Sequence, residues 1–284
     1  MIPSAFDYVA PTTVDDAVRA LSEAGEDAKV LAGGQSLLPV LRMRLAAPSK
    51  LIDLGKVAEL RGVREDGDML VIGSMTTHYD VQHDALVAEH AALIAAATNT
   101  VADPQVRHRG TFGGSIAHAD PAGDLLAPVL ALDGEMVVSG MDGRRTIPAA
   151  EFFVDFFTTA LRPGEILVEV RVPKKTGWSA HYEKFNRVAQ AWSMVAVAAA
   201  VRVDGGTIAE ARVGLTNMAA IPVRATAVEE ALVGQPATAE AINAAAEHAA
   251  EGTSPTVDGN ADVEYRQHLA RVLTGRAVAA AAGA

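Results

Sequence analysis

Arg109-Gly110-Thr111-Phe112-Gly113-Gly114-Ser115-Ile116-Ala117-His118-Ala119-Asp120-Pro121 sets a glycine pair between hydroxyl residues and ends on a helix-start signal. An earlier segment, Leu31-Ala32-Gly33-Gly34-Gln35-Ser36-Leu37, carries the same chemistry directly after a predicted strand, Lys29–Ala32. Paired glycines reach backbone conformations closed to other residues and let a ligand approach the main chain. Successive N–H groups in such a turn form a concave, positive nest suited to a diphosphate, and a following helix start strengthens it. One Gly-Gly after a strand is ordinarily a tight turn. Two with matching chemistry leave turn and nest as equal readings. Neither segment is a Gly-x-Gly-x-x-Gly fingerprint, and no Gly-Lys-Ser/Thr phosphate loop occurs, which disfavours a nicotinamide-dinucleotide half or a nucleotide triphosphatase.

Working outward, Val14, Ala17, Val18 and Leu21 have helical spacing, with Thr13 as cap and Gly25 as stop. Ser36 is placed to begin another helix, with Pro39 near its first turn, and Leu51–Leu54 reads as a strand. A second unit starts near Gly62: a strand at Met69–Ile72, a helical stretch over Val81–Ala97, and a polar irregular loop over Asp103–Arg109. Asp120-Pro121 should open a helix running to about Leu132, followed by strands at Met136–Ser139 and Arg144–Ile147. A third unit follows the strand Ile166–Val172. Val195–Val203 and Thr207–Leu215 flank Asp204-Gly205-Gly206, a hairpin signal, and helices are expected at Val223–Val233, Ala239–Glu251 and Val263–Ala279. The tail Ala277–Ala284 is expected to fray. The chain reads as α+β in three successive units.

Composition narrows the function. With 24 basic against 35 acidic residues the net charge is −11, and no basic stripe exists to follow a phosphate backbone, so nucleic-acid binding is disfavoured. Cysteine is absent, which excludes a thiol nucleophile, a redox disulfide and a Cys-ligated iron–sulfur cluster on this chain. The start, MIPSAFDYVAP, lacks a signal-peptide pattern, and Met194–Val201 is too short to cross a bilayer. A cytoplasmic protein that is not integral to a membrane is the expectation.

At the glycine segments the sequence resembles the FAD-binding medium subunits of the molybdenum hydroxylase (xanthine oxidase-like) family, and especially its carbon monoxide dehydrogenase branch. The resemblance is carried by AGGQSLLPVLRMRLAAPSKLIDLG (Ala32–Gly55), IGSMTTHYDV (Ile72–Val81) and DPQVRHRGTFGGSIAHADPAGDLLAPVLALD (Asp103–Asp133). GEILVEVRVP (Gly164–Pro173) and EKFNR (Glu183–Arg187) add to it. It implies a two-part FAD-binding domain of the PCMH (vanillyl-alcohol oxidase-like) type over residues 1–175, with subdomains of about 1–55 and 56–175. A C-terminal α+β flavoprotein domain would occupy 176–284. It further implies that Ala32, Gly33, Gly34, Gln35 and Ser36, with Thr111, Phe112, Gly113, Gly114 and Ser115, wrap the FAD diphosphate and adjoining groups. Asp124 is implied on the ribose or adenosine side, and Leu167 and Lys184 near the flavin or adenine. Phe112 replaces the aliphatic residue usual at its place.

The same resemblance implies separate partners: a large molybdenum-cofactor subunit and a small [2Fe-2S] subunit, assembled as a dimer of heterotrimers. Electrons from the clusters would pass through FAD to an external acceptor, with no acid–base residue required on this chain. Carbon monoxide is the leading expectation for the large subunit's substrate; the alternatives are a medium subunit of an N-heterocycle (nicotine-type) or aldehyde hydroxylase, a self-sufficient flavin oxidoreductase, and a non-catalytic flavin-binding protein. Of the other conspicuous residues, His118 is expected to be a packed, hydrogen-bonded histidine. His78, His83 and His90 are expected on a surface-like region without metal spacing. Trp192 is read as core or near the flavin, and Arg107 and Arg109 as neutralising phosphate or meeting a partner subunit, or else as solvated. Met43, Met69, Met136 and Met194 are expected to fill core gaps.

Overall fold

A computed structural model describes residues 2–284. Three larger sheets follow one another along the chain, with a two-stranded ribbon, Phe153–Asp155 and Thr158–Thr159, beside the second. The first has three parallel strands in the order Asp7–Val9, Lys50–Asp53, Ala28–Leu31. Helix Val14–Ala24 covers it: Thr13 accepts from the Asp16 N–H at its start, and Gly25, at φ +74°, ends it. Val14, Ala17 and Val18 pack on Ile52 and Leu54, because those positions recur on one helical face. Parallel strands must be joined by crossovers, and the connection from Leu31 to Lys50 carries the first glycine segment.

The second sheet is antiparallel, in the order Val63–Asp66, Met69–Gly73, Ile166–Pro173, Glu135–Gly140, Gly143–Pro148. Ile166–Pro173 is its central strand and is buried along most of its length, which accounts for its near-continuous apolar run. The third sheet has the order Ser179–Phe185, Val195–Asp204, Thr207–Thr216, Val223–Arg224. The expected hairpin is there, with Gly205 and Gly206 both at positive φ.

Strand Val195–Asp204 explains how the last unit attaches. Ala196, Ala198 and Ala200 face the core beneath the second sheet. Val195, Val197, Ala199 and Val201 face a separate core under helix Val263–Ala282. Side chains of a strand alternate between faces, so a strand buried on both sides needs an unbroken apolar run. Small residues on its inner face allow close approach. At Gly214 on the neighbouring strand a Cβ would lie 2.5 Å from the Ala127 carbonyl oxygen.

Several expectations are corrected. The helix expected from Asp120 begins at Leu126 and ends at Ala131. Asp120 instead closes a turn, its carboxylate accepting the Ala122 N–H and its carbonyl the Gly123 N–H, and this leaves Asp124 outside the helix. The stretch Val81–Ala97 is broken into His78–His83, Ala85–His90 and Ala92–Asn99, with Asp84 capping the second piece through Leu86 and Val87. The irregular loop after Asp103 contains a one-turn helix, Pro104–Arg107, capped by Asp103 onto the Val106 N–H. Val223–Arg224 pairs as a strand, and the helix starts only at Thr226. The alanine-rich tail stays helical to Ala282 with Ala277, Val278 and Ala281 buried, because its methyl groups seat in the third unit's core. Met136 and Met194 are buried, whereas Met43 stands exposed after the helix Leu37–Arg42. Among the described residues no helix is long and apolar enough to cross a membrane.

Candidate functional site

The two glycine segments meet in one cleft of about 1080 Å³, which takes walls from all three units. That is at the upper end of small-molecule sites and suits an extended dinucleotide. Their contact is direct. A Cβ on Gly33 would lie 2.2 Å from the Arg109 carbonyl oxygen and 2.7 Å from the Gly110 Cα, so only glycine lets the segments touch. Gly34 sits at φ +76°, the left-handed region that side chains avoid. The N–H groups of Gly33, Gly34, Gln35 and Ser36 meet no acceptor among the described residues, while the Gln35 amide closes back onto the Gly33 carbonyl at 3.0 Å. Four consecutive free donors of this kind form an anion-binding nest.

The second segment is built differently. Phe112–His118 is a helix with Thr111 as its N-cap, and the Thr111 hydroxyl accepts from the Gly114 N–H at 3.2 Å. Phe112 donates to the Thr76 carbonyl and Gly113 to the Ser74 carbonyl, both at 2.9 Å, and Ser115 donates to Thr111 at 3.1 Å. The expectation of a second N–H nest is therefore corrected: these donors are satisfied inside the protein, and neither glycine has positive φ. Packing requires the glycines instead. A Cβ on Gly113 would stand 2.4 Å from the Ser74 Cβ, and one on Gly114 2.5 Å from the Thr111 hydroxyl.

Ala32, Gly33, Gly34, Gln35, Ser36, Thr111, Gly114, Ser115, Asp124 and Lys184 all line the cleft. Phe112 does not; it is fully buried in the core of the second unit. Gly113 and Leu167 line a small apolar recess of about 70 Å³ behind Ala32 and Gly114. Asp124 and Lys184 form a buried ion pair across the boundary between the second and third units, Nζ to Oδ2 2.7 Å. Tyr182 and Ser193 hydroxyls also donate to Asp124, at 3.0 and 2.9 Å, and Lys184 donates to the Thr100 carbonyl. Burial pushes the Asp124 carboxyl above its usual value despite the lowering by Lys184 and the hydroxyl donors. Tyr182 is held neutral, raised well above a free phenol by burial and by the Asp124 charge.

The histidines depart from expectation. His78 and His90 are buried, not superficial. His90 is anchored by Thr176 at 2.7 Å and Glu65 at 3.3 Å, whereas His78 lines the cleft. His118 also lines the cleft, and its ring makes no hydrogen bond among the described residues; it lies 5.1 Å from the ring of Phe157. Trp192 is not core: it is 65% exposed at the cleft wall. The Arg107 guanidinium donates to the Val101 carbonyl at 2.8 Å, and Arg109 contributes the carbonyl that Gly33 touches while its side chain is exposed. His78 was legible only as part of IGSMTTHYDV, since nothing in its spacing reports burial.

A run of free N–H donors and a buried carboxylate–ammonium pair with hydroxyls, lining one cleft of this size, fit a flavin dinucleotide. The fold and site are thus those of a two-domain FAD-binding protein. Residues 4–175 match the family described as "FAD binding domain in molybdopterin dehydrogenase", and residues 180–281 match "CO dehydrogenase flavoprotein C-terminal domain". The carbon monoxide dehydrogenase medium chain of Hydrogenophaga pseudoflava is 42% identical, covering 99% of this chain and 98% of that one. The nicotine 6-hydroxylase medium subunit of Paenarthrobacter nicotinovorans is 38% identical, covering 95% of each. A solved structure of the Hydrogenophaga pseudoflava carbon monoxide dehydrogenase, one lacking the Mo-pyranopterin moiety, superposes with a TM-score of 0.95 at 43% identity, covering 99% of this chain and 98% of that chain. The chain belongs to the family of FAD-binding medium subunits of molybdenum hydroxylases.

Proposed function

We propose that this chain is the electron-transfer subunit of a cytoplasmic carbon monoxide dehydrogenase-type complex, relaying electrons from [2Fe-2S] clusters on a small partner to an external acceptor. A large partner would hold the molybdenum cofactor, in a dimer of heterotrimers. The observation that carries the reading is the cleft: a built dinucleotide site on a chain without a cysteine to ligate a cluster. FAD, when bound, supplies chemistry that accepts electrons singly and releases them in pairs. The chain's own residues bind and orient. The N–H groups of Gly33–Ser36 would hold the diphosphate, Thr111 and Ser115 offer hydroxyls beside it, and the Asp124–Lys184 pair offers an acceptor and a donor to sugar hydroxyls or ring atoms. Phe112, Gly113 and Leu167 would act from behind, setting the shape of the wall. The whole-chain likeness to a carbon monoxide dehydrogenase medium chain favours carbon monoxide as the substrate of the large partner. The similar likeness to a nicotine 6-hydroxylase subunit supports an N-heterocycle as the second reading.

Gentle isolation from the native host should recover this chain with a molybdenum-bearing and an iron–sulfur-bearing partner, and the complex should reduce a dye with carbon monoxide. Isolation of the chain alone would sink the subunit reading. An intact complex that oxidises N-heterocycles but not carbon monoxide would sink only the choice of substrate.

A further inference from the structure

His78 is 4% exposed and lines the cleft; its Nδ1 is enclosed with no partner, and its Nε2 makes no hydrogen bond among the described residues. With Nδ1 shut in, Nε2 is the ring nitrogen left to meet a ligand in the cleft that His78 lines. Its position is fixed from two sides. The Thr77 hydroxyl caps the helix that His78 begins, and the His78 N–H donates to the Gly110 carbonyl at 2.9 Å. The ring lies against Gly110, where a Cβ would stand 2.8 Å from Cδ2 and 3.1 Å from Nε2, so a glycine is needed to seat it. Gly110 is also the residue that Gly33 abuts. Gly110 therefore bridges Gly33 and the His78 ring, and all three line the same cleft as Gly34, Gln35 and Ser36.

We propose that His78 is an additional binding residue for the dinucleotide, its Nε2–H donating to the diphosphate seated on the Gly33–Ser36 nest. The proposal rests on the FAD reading above. Burial, and then the charge of Arg107, push the imidazole down to about 4, so it is neutral at pH 7 and carries one N–H. Nδ1 is enclosed without an acceptor, and a buried orphan N–H is rarer than a buried orphan lone pair. The proton therefore belongs on Nε2. A neutral donor at this place avoids burying a second cation beside Arg107, whose guanidinium already adds positive potential there.

The test uses the full chain stripped of flavin, with FAD, ADP, adenosine and riboflavin as separate ligands. His78→Met and His78→Phe should bind FAD and ADP roughly tenfold or more weakly, and adenosine and riboflavin unchanged, the scale of one hydrogen bond to a charged group. His78→Gln, which keeps an N–H donor, should stay within about threefold of the parent. Unchanged FAD affinity in the apolar variants, or an equal loss for riboflavin or adenosine, overturns the assignment. If the apolar variants do not fold, the parent chain decides. ADP should shift its His78 imidazole 15N resonances while riboflavin leaves them in place, and no shift with ADP overturns the proposal. Failure of the unaltered chain to bind FAD at all would instead refute the cofactor reading itself.

Discussion

Among the described residues the N–H groups of Gly33, Gly34, Gln35 and Ser36 face no acceptor, whereas those of Phe112, Gly113, Gly114 and Ser115 each have one. The segments share a Gly-Gly pair beside a serine, yet the first leaves donors for a ligand and the second uses its glycines to bring backbone against backbone. What separates them is their surroundings. The first runs off the end of a strand with Gly34 in the left-handed region, and the Ser36 hydroxyl makes no cap. The second begins with Thr111, whose hydroxyl captures the Gly114 N–H, and it lies against the carbonyls of Ser74 and Thr76. A glycine pair is thus a permit for close approach; the neighbours decide whether the approaching group is a ligand or the protein.

Substitutions can break that contrast, and the largest effect is expected on the second segment's side. Asp124→Ala leaves the Lys184 ammonium buried and unpaired, for an expected loss of about 3 to 5 kcal/mol of stability, alongside weaker FAD binding by roughly 1 to 3 kcal/mol. Denaturant titration and flavin-fluorescence titration measure the two; unchanged values in both would remove Asp124 from the site. Gly113→Val should cost about 3 kcal/mol, the upper end for overpacking, because its side chain meets Ser74 backbone. A melting temperature equal to the parent's would show that this wall yields.

An acid titration sharpens the comparison at the joint between the segments. The folded His78 value lies below the free-imidazole value of 6.5, so the unfolded chain protonates first and stability declines as pH falls from about 6.5 to about 4. The flavin-free chain should lose about 2 to 3 kcal/mol over that window by denaturant titration, and His78→Gln should lack that loss. Equal acid slopes in the two chains would contradict the buried, neutral state. The smallest structural effect is expected at the nest. Gly34→Ala imposes a left-handed backbone on alanine at about 1 to 2 kcal/mol, with its Cβ only 3.0 Å from the Leu38 side chain. FAD retention should fall far more than the melting temperature. A variant that keeps its flavin would show that the first segment is no more a ligand cradle than the second.

Much of the fold was readable because local signals agreed with the tertiary structure. The strands at Met69–Gly73 and Glu135–Gly140 and the Gly205-Gly206 hairpin carry apolar pattern and turn chemistry together. Errors arose where one residue type serves two purposes. Asp120-Pro121 has the letters of a helix start, but the Asp120 carboxylate bonds the Ala122 N–H and closes a turn, and Asp84 divides what periodicity joined. Short strands such as Asp7–Val9 and Val63–Asp66 were invisible, since they are largely exposed and depend on partners distant in sequence. The same holds for the site. The first glycine segment announces itself, while the seating of His78 against Gly110 and the pairing of Asp124 with Lys184 join segments that only folding brings together.

Gly214 seated on the Ala127 carbonyl gives the molecule a property of manufacture. The last unit is keyed to the one before it, and Lys184 and Trp192 from that unit complete a cleft begun by Gly33 and Asp124. Parts made this way are not freely interchangeable. A C-terminal unit grafted from a relative would have to bring a residue without a side chain at 214 and a lysine in reach of Asp124. Otherwise the joint would stand proud, and the cleft would take the width of the misfit.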